Sequence, residues 1–235
     1  MFNYRFDWAI VTSGKYFEWL ISGVKITLEL SLVSIALSFI LGLIIAVMRM
    51  SNVRPIRWFS HGYLEFFRNT PLLVQLFFWY FGSYKILPKV INDWLNSMSF
   101  EFAAAVIGLS IYTSAFIAED IRSGVRSIPK EQMEAARSSG FSYIRSMFYI
   151  ILPQAVRITI PPLINQFLNL TKNSSLAMTI GVAEITYQAR QVESYTFKGF
   201  EAFTAATLIY LGLSLIITGL VTLYSKKVLN PIGAR

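Results

Sequence analysis

The feature that most limits what this chain can fold into is an apolar run without a single charged residue, Leu30 to Met48. It belongs to a longer apolar stretch, residues 20–48, in which Lys25 and Glu29 are the ionisable groups. About 20 apolar residues in helical form cross the hydrocarbon layer of a bilayer, because backbone polar groups must be paired inside the segment. The run therefore predicts a membrane-spanning helix.

Composition extends this conclusion to the whole chain. Of its 235 residues, 54% are hydrophobic and only 14% are charged, which lies outside the usual range of soluble proteins. The absence of cysteine excludes disulfides and thiolate sites, and a single histidine, His61, excludes the usual zinc sites. We therefore expect neither a metal nor a cofactor. The net charge of +8 comes from cations at the ends of apolar segments, which indicates membrane topology and not nucleic-acid binding.

Apolar runs of spanning length predict an all-α integral membrane protein with five transmembrane helices. Their approximate bounds are residues 20–48, 61–82, 102–121, 147–170 and 202–224. Residues 1–19 are rich in aromatic side chains, do not have the pattern of a cleaved signal peptide, and are predicted to lie at the lipid headgroups. The membrane domain is expected to cover residues 20–225, followed by a short tail, residues 226–235.

Lysine and arginine counts choose between the two orientations of five spans. With the N-terminus outside, eleven of these cations fall in cytoplasmic connections and seven in external ones. Positively charged loops stay preferentially in the cytoplasm. The sequence therefore predicts an external N-terminus, an external aromatic segment and a cytoplasmic C-terminal tail.

The charged connection before the fourth span, residues 127–153, is then cytoplasmic. Pro129 suits the first turn of a short helix, Ser127 is a cap-type residue before it, and Gly140 can end it in a left-handed conformation. Apolar positions recur along one stripe of this helix: Met133, Ala136, Gly140 and Ile144. Spacing alone leaves two hypotheses open, a helix lying on the headgroups or a docking surface for a partner protein.

The residues of this connection carry a family resemblance. Glu134-Ala135-Ala136, then Gly140 and Ile150-Ile151-Leu152-Pro153, match the spacing EAA-x3-G-x9-I-x-L-P. The chain thereby resembles the permease subunits of bacterial ABC importers. The run FFRNTPLLVQLFFWYFG, Phe66 to Gly82, is similar to that of the polar amino acid uptake branch, with Asn69 in place of the common glycine. The resemblance covers most of the chain from about residue 20 onward.

The resemblance implies a type I importer permease of the bacterial inner membrane that forms the path for a polar amino acid. It implies an ATP-binding cassette ATPase subunit, an extracytoplasmic solute-binding protein, and a second permease subunit, identical or related. It also implies that the short helix is a coupling helix seated in the ATPase. The residues assigned to coupling are Glu134, Ala135, Ala136, Arg137 and Gly140.

The chain lacks the motifs of an energy-coupling or catalytic enzyme. It contains no G-x-x-x-x-G-K-[ST], H-E-x-x-H or G-x-G-x-x-G pattern, so we expect no catalytic residues and ATP hydrolysis in a separate subunit. The alternative function is a secondary amino acid carrier or channel that works alone. Such carriers often contain internal repeats, and none is found in this sequence. A scaffold or sensor without transport is a third hypothesis.

Polar residues inside the fourth span predict part of the solute path. Asn165, Asn169 and Lys172 recur at spacings of four and three, with Gln166 beside them, and Pro161-Pro162 is expected to disrupt the helix just before them. Such a stripe avoids lipid, so it lines either a helix interface or a watery path. Amides and an ammonium group suit a zwitterionic amino acid, and the resemblance assigns this span to the path.

The second span contributes two further path candidates. Arg68 lies with Glu65 and Asn69 just before Thr70-Pro71, where proline predicts a local break, and Gln75 lies one turn deeper. The competing interpretation for Glu65, Arg68 and Asn69 is a structural ion pair at the membrane interface. Structural roles are assigned to two further groups of polar side chains in the spans: Lys25 with Glu29, and Ser110, Tyr112 and Ser114.

Overall fold

The described part of the chain folds into helices. The computed structural model describes residues 4–86, 89, 93 and 99–229, and no strand occurs among them. The α-helices are α1 (Ala9–Thr12), α2 (Gly14–Met50), α3 (Arg54–Asn69), α4 (Leu72–Ile86), α5 (Phe100–Arg126), α6 (Lys130–Ser138), α7 (Tyr143–Ser146), α8 (Leu152–Asn173), α9 (Ile185–Thr196) and α10 (Gly199–Leu229). A π-helical turn, Met147–Ile151, joins α7 to α8, and a 3₁₀-helix, Ser174–Ile180, follows α8.

Four helical stretches in the described residues are long and apolar enough to cross a membrane. They are Gly14–Met50, Phe100–Arg126, Tyr143–Ile180 and Gly199–Leu223, judged by length and composition, and Leu72–Gly82 is a shorter apolar helix. Each overlaps one of the five predicted spans. These helices make the chain a multi-pass membrane protein. Residues 1–3 of the predicted aromatic segment and 230–235 of the predicted tail lie outside the described residues.

The predicted second span, residues 61–82, is not one helix. Helix α3 ends at Asn69, Thr70 is extended with φ −106° and ψ 138°, and α4 starts at Leu72. Proline has no amide hydrogen to donate, and its ring disfavours the helical conformation for the residue before it. Pro71 therefore produces the break that its position predicts.

The prediction that Pro161-Pro162 disrupts the fourth span was wrong, because α8 runs from Leu152 to Asn173 through both prolines. A missing amide costs a helix one hydrogen bond without forcing it to end, and spanning helices tolerate such positions. The irregularity lies earlier, in the π-helical turn before Pro153. Single π-helical turns of this kind occur inside α-helices, often at functional sites.

Contacts between residues divide the chain into two compact units. The first unit comprises Met1–Ser34, Leu72–Leu109 and Leu168–Tyr224, and the second comprises Ile35–Pro71, Ser110–Phe167 and Ser225–Arg235. A core of apolar residues in the first unit joins helices α1, α2, α9 and α10: Val11, Leu20, Ile185, Ala189, Val192, Ala202 and Ala206. Gly23 lets α2 approach α9, since a Cβ there would lie 2.9 Å from the Ile185 Cα.

A buried carboxylate organises the start of α9. Glu184 is fully buried and accepts hydrogen bonds from the backbone N–H groups of Tyr187 (2.7 Å) and Thr186 (2.9 Å) and from the Tyr210 hydroxyl. The next amide, that of Ile185, donates to the Thr27 hydroxyl at 3.3 Å. Burial raises the pKa of Glu184 above its ordinary value despite these donors. The carboxylate therefore caps α9 and ties it to α10.

The aromatic N-terminal segment is attached to the start of α10. The Tyr4 hydroxyl and the Asp7 backbone N–H (2.8 Å) both donate to the buried carboxylate of Glu201. The rings of Phe6 and Trp8 meet Phe200 edge to face, with centroids 5.5 and 6.0 Å away. We call residues 4–8 the N-terminal strap. Its position at lipid headgroups stays a prediction.

The second unit packs α2 and α3 against α5. Ile45, Ala46, Leu64 and Ala118 form its core between these helices. The Tyr63 hydroxyl donates to the Ile111 carbonyl at 3.1 Å and bonds the buried Ser114 hydroxyl at 2.8 Å. Ser114 therefore serves helix packing, as the sequence predicts.

Candidate functional site

The connection between α5 and α8 is a short helix followed by a sharp turn. Helix α6 starts after Pro129, which occupies the cap position without a side-chain cap bond. Ser127 does not cap it, because its hydroxyl donates to the Gly124 carbonyl at 2.8 Å, at the end of α5. The N-terminal amides of α6 therefore lack the serine cap suggested by the sequence.

Gly140 supplies the turn that ends α6. Its φ of +87° lies in the left-handed region, which costs residues with a Cβ roughly 1–2 kcal/mol. The Gly140 N–H donates to the Arg137 carbonyl at 3.0 Å, and the Phe141 N–H donates to the Ala136 carbonyl at 3.2 Å. This is the bonding pattern of a Schellman motif. Nothing lies within 4 Å of a Cβ built on Gly140, so conformation and not space demands glycine here.

Two members of the apolar stripe, Met133 and Ala136, lie toward the protein itself. Ala136 is 5% exposed, and Met133 packs against the buried cluster of Ile128, Ile151 and Ala155. Ala136 therefore adds little exposed surface to the stripe, and its role in coupling stays a prediction. The cluster draws Met133 inward because it offers apolar surface within the chain itself.

The exposed face of the connection carries both charged and apolar side chains. Glu134, Ala135 and Arg137 are exposed on α6. Beyond Gly140, large apolar side chains are also exposed: Phe141 (39%), Tyr143 (57%), Ile144 (69%) and Phe148 (66%). We call Glu134, Ala135, Arg137, Phe141 and Ile144 the coupling surface.

One predicted path residue forms a specific bond in the second unit. The Gln166 side-chain amide donates to the Asp120 carboxylate at 2.8 Å, joining α8 to α5. Asp120 was missed by sequence reasoning, although an acid inside an apolar helix is itself a signal because burying it is costly. Its neighbour Glu119 pairs with Arg122 one turn along. Asp120 is thus a half-buried carboxylate held by an amide.

Arg68 lies close to this pair. Its guanidinium stands over the Phe116 ring, 5.3 Å from the centroid, and its charge acts on the Asp120 carboxylate. Asn69 donates to the Glu65 carbonyl at 2.7 Å and to its carboxylate at 3.0 Å. Of the polar residues before Pro71, Asn69 therefore bonds Glu65 within α3, whereas Arg68 contacts Phe116 on α5.

The remaining path candidates have different surroundings. Asn165, Asn169 and Lys172 are exposed on α8, and Gln75 is 5% exposed on α4. Asn165 belongs to the second unit with Arg68 and Gln166, whereas Gln75, Asn169 and Lys172 belong to the first. The contacts within the second unit bring together Arg68, Asp120 and Gln166.

Comparison with known proteins identifies the family. The model of the family "binding-protein-dependent transport system inner membrane component" matches residues 38–230. The chain is 47% identical over 199 residues to the probable glutamine ABC transporter permease protein GlnM of Bacillus subtilis, covering 85% of this chain and 88% of that protein. It is 33% identical over 221 residues to the glutamate/aspartate import permease protein GltJ of Escherichia coli K12, covering 92% and 89%.

Solved structures agree with the sequence relatives. A crystal structure of an amino acid ABC transporter with histidines superposes with a TM-score of 0.85 and 34% identity, covering 96% of this chain and all of that one. An inward-facing MetNI methionine ABC transporter superposes with a TM-score of 0.69 at 17% identity, covering 92% and 99%, which supports the fold. This chain belongs to the family of inner membrane components of binding-protein-dependent transport systems, the permease subunits of ABC importers.

Proposed function

We propose that this chain forms the transmembrane path for a polar amino acid in an ABC importer of the bacterial inner membrane. The observation that carries the proposal is the bent connection from α6 through Gly140 to α7, which presents an exposed surface between two membrane-length helices. The relatives named for glutamine and for glutamate and aspartate support an amino acid as the solute. ATP is hydrolysed by a separate subunit.

The coupling surface docks on that ATPase subunit. Glu134 and Arg137 pair with charged groups at the rim of a groove, while Phe141 and Ile144 supply the apolar anchors. Ala135 lets the two backbones approach, and Gly140 fixes the angle at which α6 meets α7. Ala136 acts from within, because its buried methyl group holds α6 on the chain's own core. Closure of the ATPase dimer thereby moves α5 and α8.

The remaining partners follow from the family, and the side of the membrane on which each acts follows from an orientation with the N-terminus outside. A solute-binding protein delivers the amino acid to the external surface, and a second permease subunit, identical or related, completes the path. Residues 20–225 form the permease domain, and residues 226–235 lie in the cytoplasm. The distribution of lysine and arginine supports this orientation.

Polar side chains of α3, α5 and α8 line the path in this proposal. Arg68 offers a guanidinium to the solute carboxylate, and Asp120 with Gln166 offers acceptors to the ammonium group. Gln75 on α4 is a further candidate, as are Asn165, Asn169 and Lys172 on α8. Selectivity among amino acids rests largely with the solute-binding protein.

Reconstitution separates this function from that of a stand-alone carrier. Proteoliposomes containing the chain, its ATPase and its solute-binding protein should accumulate labelled glutamine, glutamate or another polar amino acid when ATP is supplied. Vesicles with the chain alone should accumulate none, driven by a sodium or proton gradient or without one. Full uptake by the chain alone would establish the carrier, and ATP turnover without uptake of any of the twenty amino acids would favour a sensor.

A further inference from the structure

The start of α3 carries an exposed surface that the proposed transport function does not use. Arg54 and Arg57 are exposed in its first turn, and the side chains of Trp58 and Phe59 that follow them are 70% and 64% exposed. We call these four residues the α3 patch. The first apolar side chain that α3 buries in the core of the second unit is Leu64, roughly three turns after Arg54. The α3 patch therefore extends beyond the part of the helix that packs against α2 and α5.

The place of the α3 patch in the chain puts it at a surface of the membrane. Helix α2 has no charged residue over residues 30–48, and its last turns expose Ile44 (51%) and Val47 (59%), as a helix that faces lipid does. Only residues 51–53 separate α2 from α3. The patch thus begins where the span of α2 leaves the hydrocarbon layer, and it precedes the predicted second span, residues 61–82.

The exposed side chains along α3 follow the order of the layers at a bilayer surface. Phe66, 60% exposed, lies within the predicted second span, and Phe59 lies seven residues earlier on the same side of the helix. Arg54 lies one helical turn before Trp58 and on its side. At 1.5 Å per residue, Arg54 stands roughly 18 Å from Phe66 along the helix axis. Hydrocarbon-facing rings, then aromatic rings at the interface, then cations at the headgroups is the order expected at a membrane boundary.

The positive charge of the α3 patch is not neutralised by the described part of the chain. No acidic residue occurs among residues 30–64, and the next acid, Glu65, accepts a hydrogen bond from Asn69 within its own helix. Neither Arg54 nor Arg57 forms an ion pair with any described acid, those of α5 and α6 included. Both guanidinium groups are thus available to an anion from outside the chain.

We propose that the α3 patch binds anionic phospholipids, with Arg54 and Arg57 on their phosphate groups and the rings of Trp58 and Phe59 among the upper acyl chains. Exposed cations and large aromatic rings on one helix bind such a surface through buried apolar area and through attraction to anionic headgroups. The exposed apolar side of α2 leads directly to the patch, which favours lipid over a protein partner. With the N-terminus outside, this is the cytoplasmic leaflet. The inference does not depend on the identity of the transported solute.

The absence of cysteine allows a label at one site beside the patch. The chain carrying Asn52→Cys, an exposed position two residues before Arg54, is labelled with a fluorophore, assembled with its ATPase and placed in phosphatidylcholine nanodiscs. Small amounts of phosphatidylglycerol or phosphatidylcholine with a nitroxide near the headgroup are then titrated in. The mole fraction of lipid that halves the fluorescence should be about tenfold lower for phosphatidylglycerol, because two cations attract the anionic headgroup.

Two double variants that remove the same charge distinguish the α3 patch from a general attraction of the cationic protein. Arg54→Gln with Arg57→Gln should abolish the preference for phosphatidylglycerol at position 52. Arg145→Gln with Arg190→Gln, at exposed arginines of α7 and α9, is the matched control and should leave the preference unchanged. Retention of the ATPase shows that each variant is assembled.

The same measurements can overturn the proposal. Equal quenching by both lipids would show that the patch does not select anionic headgroups. A preference that survives the loss of Arg54 and Arg57, or that the control variant also loses, would assign the attraction to the protein as a whole. Quenching by neither lipid would show that a protein chain, and not the membrane, covers the patch.

Discussion

Asp120 has two possible roles, a structural bond to Gln166 or a contact with the solute. Its carboxylate lies inside an apolar helix, where a charge is costly, and it is held by the Gln166 amide with Arg68 nearby. A structural acid needs only a hydrogen-bond acceptor, whereas an acid that meets a solute ammonium group needs its charge. Substitution by an amide separates these two roles.

We expect Asp120→Asn to keep the bond to Gln166 and the assembled complex but to lower ATP-driven uptake by about tenfold or more, because a charge-assisted contact is lost. The measurement is initial uptake in proteoliposomes together with ATP turnover. Glu65→Gln, which removes an exposed acid from α3, is the control and should transport normally. Unchanged uptake by Asp120→Asn would return Asp120 to a packing role.

Glu184 stabilises the fold, because its carboxylate accepts hydrogen bonds from two backbone N–H groups. Truncation leaves these buried donors and the Tyr210 hydroxyl without their acceptor. We expect Glu184→Ala to lower the free energy of unfolding by about 1–3 kcal/mol. Thermal unfolding of the purified protein in detergent measures this effect. Ser194→Ala, at an exposed position on the same helix, should change little, and an equal effect of both variants would contradict the capping role.

At the scale of elements, the α6 connection depends on one backbone conformation. A Cβ at Gly140 or at Gly62 on α3 would meet no atom within 4 Å. Only Gly140 has a left-handed backbone conformation. We expect Gly140→Val to assemble normally but to hydrolyse ATP without matching uptake, since strain of roughly 1–2 kcal/mol alters the turn. The ratio of solute moved to ATP hydrolysed is the readout. Gly62→Val should keep the normal ratio, and normal coupling in Gly140→Val would disprove the role of the turn.

The coupling surface makes a second prediction at this scale. Ile144 is 69% exposed and would be a buried anchor once the ATPase is bound, so placing a charge there should cost docking energy. We expect Ile144→Asp to reduce co-purification of the ATPase subunit at least about tenfold. Tyr195→Asp, at a 65% exposed position on α9, is the control and should co-purify normally. Retention of the ATPase by both variants would exclude Ile144 from the interface.

Some helices and helix breaks can be predicted from the sequence, whereas contacts between distant residues cannot. Charge-free apolar runs predict α2 and α10, and Pro71 predicts the break between α3 and α4, because hydropathy and a missing amide act locally. The break predicted at Pro161-Pro162 does not occur, because neighbouring helices can support a spanning helix that passes through proline. The inward turn of Met133 depends on Ile151 and Ala155, which lie more than a dozen residues further along the chain. The Asp120–Gln166 bond, across 46 residues, has the same non-local origin.

At the scale of the whole molecule, topology is open to a direct test. The chain has no cysteine, so single introduced thiols report their side of the membrane without background. We expect an impermeant thiol reagent to label Thr12→Cys in cells with a permeabilised outer envelope and to spare Ser138→Cys until the inner membrane is opened. Both positions are exposed. The opposite labelling pattern would reverse the orientation.

The N-terminal strap has a consequence for biogenesis. Its anchor, Glu201, is separated from Tyr4 by 197 positions and from Asp7 by 194. A ribosome must therefore add almost 200 further residues after the strap before the carboxylate that the strap binds exists. Protection of the strap from a protease should accordingly be among the last events of maturation, which makes it a marker of completed insertion.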